Sequence, residues 1–271
     1  MKTGTRTLLA LSAVGLLSFA GASSASTLGS DNASNGPYTD GWQTGDNGGT
    51  GFLAWTLSAS TTGTGGSSGQ FIGDSTTLSG TNAGANINTG TSSFGMFANV
   101  AANNTGTATS DAFRNFAGGA LSIGQTFSLN IAVNFRNGAK GLNIQNSGGT
   151  NLFTFNISND DYAVSDATTG NGSIGNAFST NTAFRISITQ TTAAGGTWTI
   201  TRSGGVADSD TGTYTGSPNT VHLFINNTGT GNENNFFANG MAIVPEPNTW
   251  TTILLGVGGL AVVLRRRSMA S

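Results

Sequence analysis

The 271-residue chain has no cysteine, one histidine and four prolines, and only 8% of it is charged. Each scarcity excludes something. Without cysteine there is no disulfide, no thiolate nucleophile and no thiolate metal site, so a folded domain must hold itself by its core and hydrogen bonds. The single histidine, His222, lies in an apolar run, and no Gly-x-Ser-x-Gly elbow occurs, so Ser-His-Asp hydrolysis lacks its parts. Alternation puts His222 opposite Val221 and Leu223, exposed or in a sheet-surface contact. Basic residues are few as well. Residues 26–243 hold five (Arg114, Arg136, Lys140, Arg185, Arg202) against eleven acids, a net of −6, which argues against nucleic acid or an anionic membrane surface as partner.

What is plentiful is glycine, 42 residues, with Asn, Ser and Thr around it. No segment between residues 26 and 243 has a helical period. Strands are predicted at 52–58, 70–73, 94–100, 125–135, 141–145, 152–158, 183–190, 198–202, 220–226 and 235–244. The clearest is 125–135, where Phe127, Leu129, Ile131, Val133 and Phe135 alternate with Ser128, Asn130, Ala132 and Asn134. Segment 26–51 reads as loops around one short strand, 61–69 and 74–92 as loops, and Asn137-Gly138 and Asn159-Asp160-Asp161 as turns. Single-sided strands separated by Gly/Asn turns predict an all-β domain, an antiparallel β-sandwich of jelly-roll type.

The ends differ from the middle. Lys2 and Arg6 precede an apolar stretch at 8–20 and then small residues, the pattern of a signal peptide over 1–25. Residues 244–271 contain Pro245-Glu246-Pro247, an uncharged apolar segment at 250–264 and the cluster Arg265, Arg266, Arg267. The prolines can neither continue a helix nor donate to a sheet. The arginines mark the cytoplasmic side of a transmembrane helix. Fifteen residues fall short of the about 17–25 that usually span a bilayer, a deficit that interfacial threonines and snorkelling arginines relieve.

Proline turn, apolar segment and basic cluster, in that order, resemble the PEP-CTERM tail, the bacterial sorting signal recognised by exosortases in species that build extracellular polysaccharide. The resemblance implies three parts: signal peptide 1–25, ectodomain 26–243 and sorting tail 244–271. It implies an exosortase-type partner acting near Pro245-Glu246-Pro247, transient inner-membrane anchoring, and delivery to the surface or extracellular matrix of a Gram-negative-type bacterium.

The run Gly-Phe-Leu-Ala-Trp and the strands at 122–131 and 143–155 resemble concanavalin A-like (laminin G-like) jelly rolls. Glycosidases of that fold use a Glu-x-Asp-x-x-Glu strand, whereas residues 26–243 hold one glutamate, Glu233, so no enzyme is expected. The close pairs Asp160/Asp161 and Asp208/Asp210 read as turn residues. No cofactor is expected, apart from a structural calcium that Asp31/Asn32, Asp46/Asn47 or Asp208/Asp210 could hold. Saccharide binding needs an aromatic platform beside amides and carboxylates. Trp42 is the candidate, with Tyr38, Tyr162 and Tyr214 also assigned to reachable turns, and Trp55 and Trp198 to the core. The expected role is a structural or carbohydrate-binding component of an exopolysaccharide matrix. The alternatives are a polysaccharide-active enzyme with an unrecognised site and a protein-binding adhesin.

Overall fold

The computed structural model describes residues 27–79, 84–166, 168, 170–175 and 177–245. The predicted signal peptide, Glu246, Pro247, the 250–264 segment and Arg265–Arg267 lie outside the described residues. Among the described residues, no helix is long and apolar enough to cross a membrane.

Among the described residues, fifteen strands form two sheets. The early ones are β1 (Gly29–Asp31), β2 (Thr56–Thr62), β3 (Gly66–Gly73), β4 (Ser93–Val100) and β5 (Thr107–Asn115). Next come β6 (Gln125–Val133), β7 (Ala139–Gln145), β8 (Asn151–Ser158), β9 (Asp161–Asp166) and β10 (Gly170–Ser173). The last are β11 (Thr182–Thr192), β12 (Gly195–Ser203), β13 (Asp208–Thr215), β14 (Thr220–Asn226) and β15 (Phe236–Pro245). The first sheet runs β13-β12-β11-β6-β15-β4-β3, with β1 beside the far half of β15. The second runs β10-β9-β8-β7-β14-β5-β2. All these strand pairings are antiparallel, and the predicted sandwich is the observed one.

The inward alternation of β6 (Phe127, Leu129, Ile131, Val133) meets that of β14 (Val221, Leu223, Ile225), and all seven are buried in one core. The predicted pattern ends early, however. β6 stops at Val133, and Phe135, expected as a fifth inward residue, is 41% exposed. The outer face of the first sheet is also covered: Ala132 and Phe237 join Leu78 and Ala85 in a second cluster under the segment that follows β3. The described residues of that segment, 74–92, contain no strand, as expected, but hold a 3-10 turn at Ser75–Ser79 and contribute to a core of their own.

Two stretches read as loop or turn are strands. Residues 61–69 carry the end of β2 and the start of β3, joined by a turn on Gly63 and Gly65 at positive φ that takes the chain from the edge of one sheet to the edge of the other. Asp208 and Asp210 sit on β13, paired with Arg202 and Ile200 of β12, rather than in a turn.

Candidate functional site

Strand β3 is an edge of the first sheet, and two clefts open along it. The larger, about 760 Å³, lies between β3 and the irregular segment 33–43, with Asp40, Trp42, Gln43, Thr91 and Ser92 in its lining. The smaller, about 430 Å³, is lined by Asp74, Phe97, Asn99, Asn232 and Asn235. Phe71 and Ile72 line both. The two clefts therefore form one interrupted groove across the strand, with Phe71 as the divider.

The register explains how Phe71 and Phe97 come to lie there. Phe71 pairs with Gly95, and Phe97 with Gly69. A Cβ on Gly95 would sit 2.5 Å from the Phe71 ring, one on Gly73 2.7 Å from it, and one on Gly69 3.0 Å from the Phe97 ring. Each phenyl ring thus lies down on a neighbouring glycine, in space that any other residue would fill. Phe71 is steadied by Phe237 in an edge contact at 5.4 Å and meets Phe97 at 6.2 Å. Both phenylalanines remain half-buried and line the groove. A flat apolar surface with amides beside it is suited to the apolar face of a sugar ring and the hydroxyls at its rim.

Two buried polar atoms in the groove lining have no hydrogen-bond partner among the described residues: Trp42 Nε1, a donor, and Asn99 Oδ1, an acceptor. Buried groups of this kind are satisfied by water or by a ligand. Asp74 is already engaged. Donors from Thr76 and Asn88 hold its carboxyl below the usual carboxylate range, so it stays ionised in the smaller cleft.

The aromatic residues named from sequence are not the platform. Trp42 is 4% exposed, edge-on to Trp55 at 4.9 Å and against Phe94 at 4.8 Å, so it forms part of the wall of the larger cleft. Tyr38 is buried, its hydroxyl donating to Asp31 and accepting from Trp55 Nε1 at 3.1 Å. Tyr162 and Tyr214 lie on β9 and β13, both buried. The pattern that would have found the platform is Gly-Gln-Phe-Ile-Gly at 69–73 opposite Gly-Met-Phe at 95–97. Same-face glycines beside phenylalanines mark rings that lie flat, provided the register is known.

His222 is in a sheet-surface contact. Nε2 is 2.8 Å from Asp111 Oδ1, Nδ1 is 3.1 Å from Asn143 Nδ2, and the imidazole stacks on Phe113 at 4.0 Å. Its two ring nitrogens are thus held by a carboxylate and an amide. Asp31, one of the calcium candidates, is paired with Arg114, and among the described residues no three His, Asp or Glu side chains gather to hold a metal ion.

No curated protein matches the chain. Among solved structures it is similar to the botulinum neurotoxin type G receptor-binding domain, at 10% identity and TM-score 0.33, over 72% of this chain and 43% of that one. It is also similar to the Emp47p carbohydrate recognition domain, at 8% identity and TM-score 0.32, over 71% of this chain and 88% of that one. A third is the PL-14 alginate lyase from Aplysia kurodai, at 10% identity and TM-score 0.30, over 70% and 90%. The chain spans less than half the length of the toxin domains it matches. These likenesses carry no argument about function. Residues 244–267 match the family described as the PEP-CTERM protein-sorting motif, and the chain therefore carries that motif, which implies an exported protein sorted to the cell envelope by an exosortase.

Proposed function

We propose that this exported protein is a non-catalytic, polysaccharide-binding component of the extracellular matrix, and that the groove along β3 holds the glycan chain. The observation that carries the reading is the pair of phenylalanine rings lying flat on Gly95 and Gly69, beside the amides of Asn99, Asn232 and Asn235. A groove divided by an aromatic ring fits an extended chain better than a single small molecule. The non-catalytic part is supported by the acids present. Among the described residues, Asp40 is the only acid in the lining of the larger cleft, and Asp74 the only one in that of the smaller. Glycoside hydrolysis needs two carboxyl groups flanking one bond.

In this reading the tail anchors the chain in the inner membrane until an exosortase acts near Pro245-Glu246-Pro247, and no cofactor takes part. The test has two arms. Processed protein from the producing cells is expected to be retained, saturably, on the exopolysaccharide of those cells, and to lose retention in the Phe97→Ala variant. Absence of retention, or equal retention of Phe97→Ala, rejects the groove. Replacing Pro245, Glu246 and Pro247 by alanine is expected to leave an uncut precursor in the membrane fraction; normal processing of that variant rejects the sorting mechanism.

A further inference from the structure

The end of the sandwich from which the chain continues into its sorting tail has a chemistry of its own. β15 runs to Pro245, whose register partner is Gln125 at the start of β6, and the amide of Leu28 donates to the Ile243 carbonyl at 2.8 Å. Around this point is a cleft of about 240 Å³, lined by Leu28, Phe116, Leu121 and Ile243 together with the Gly118-Gly119 turn. Among the described residues, its lining contains no charged side chain. Leu28 is 47% exposed, and Ile123, between Ser122 and Gln125 of the same rim, is 63% exposed. Leu53, also exposed, follows two residues after Gly51 of that lining. Among the described residues, most of the exposed large aliphatic side chains thus collect near where the chain leaves the last strand.

Only residues 246–249 separate Pro245 from Trp250, the first residue of the apolar segment. Fully extended, those five steps cover about 17 Å at about 3.5 Å each. While the tail is anchored, this end of the domain therefore cannot stand far from the membrane surface. A face whose described lining is branched aliphatic side chains, a phenylalanine and glycines, without a charged group, meets the requirements of an interfacial contact. The net charge of −6 makes the rest of the domain indifferent or averse to an anionic surface, so the attraction must be apolar.

We propose that this end, with Leu28 and Ile123 at its tip, rests on the lipid surface of the membrane that holds the uncut tail. The proposal rests on the reading of 250–264 as a membrane anchor. The contact would hold the domain upright, with the β3 groove and Asn232 away from the bilayer, until cleavage releases it.

The cysteine-free sequence allows single-site labelling without background. Ile123→Cys, Leu28→Cys and Asn232→Cys are exposed positions that can each carry an environment-sensitive fluorophore on the full chain in phosphatidylcholine vesicles. Flotation of the vesicles is scored first. The expected result is co-flotation, with blue-shifted emission quenched by brominated lipid at residues 123 and 28, unchanged in high salt, and water-like emission at residue 232. Co-flotation with water-like emission at residues 123 and 28 overturns the lipid contact while leaving the anchor intact. Failure to co-float overturns the anchor, and the contact with it.

Discussion

Arg114 of β5 and Asp31 of β1 form an ion pair in which neither side chain is exposed. The guanidinium lies between the rings of Phe52 and Trp55, 5.1 and 5.0 Å from their centroids, and Nε donates to the Leu53 carbonyl at 2.9 Å. Nη2 donates to Asn47 Oδ1 at 2.6 Å, and the phenol of Tyr38 completes the set. One arginine on the second sheet therefore fastens the stretch between β1 and β2, whose residues 33–43 form one wall of the larger cleft. The sheet hydrogen bonds that order other parts of the chain are few here, and the buried charge pair stands in for them.

Removing one partner leaves the other charged and buried, which is expected to cost about 3–5 kcal/mol. Arg114→Met and Asp31→Leu should each lower the urea-unfolding free energy by about that much, and the double variant should lose less than the sum of the two. Strict additivity in the cycle would show that the pair does not act as a unit.

The contrast between this pair and the strands shows what the sequence could convey. Alternation is a local signal, so Phe127–Val133 and Val221–Ile225 were legible, and with them the sandwich. In the sequence Arg114 is only one of five basic residues in 26–243, because its partners lie 59 to 83 positions earlier in the chain. The same holds for Trp42, whose neighbouring Gly/Asn/Asp composition signals a loop but not that the loop is packed. Phe71 and Phe97 face their glycines only through the β3–β4 register, which no single-strand pattern reveals. Asp208 and Asp210 read as turn residues because Asp is rare in strands, yet β13 is an edge strand whose residues are largely exposed, where that preference weakens.

Lys140 gives the fold a pH dependence. Its ammonium is buried, donating to the carbonyls of Asn234 at 2.7 Å and Phe135 at 2.9 Å, and burial lowers its pKa from 10.5 to about 7. Between those values the unfolded chain binds a proton that the folded one does not, so stability should rise with pH by up to about 1.4 kcal/mol per unit. Below pH 7 the burden of the buried charge is fully present. Tyr38 acts in the opposite sense: burial, with the bond to Asp31, raises it from 10.0 to about 12, so its contribution is lost as pH climbs through that interval. Unfolding free energies measured across this range should climb from pH 7, then turn over above 10. Lys140→Met should flatten the climb and leave the turnover. A flat profile in the wild-type protein would contradict the burial of Lys140.

The groove makes a prediction that separates platform from scaffold. Phe97 is half-buried, so Phe97→Ala should change stability by no more than about 1.5 kcal/mol while lowering retention on the exopolysaccharide about tenfold, or about 1.4 kcal/mol. Phe97→Tyr keeps the flat ring and should retain binding. Gly95→Ala places a methyl where the Phe71 ring now lies, forcing the ring off the sheet, and should weaken binding without touching any ligand contact of its own. Trp42→Ala should behave differently. Its ring is wedged against Trp55 and Phe94, so truncation is expected to remove about 3–5 kcal/mol of stability. If Trp42→Ala instead abolished binding at unchanged stability while Phe97→Ala did nothing, the ligand would sit on the tryptophan and the flat phenylalanines would serve only to fill the space their glycines leave.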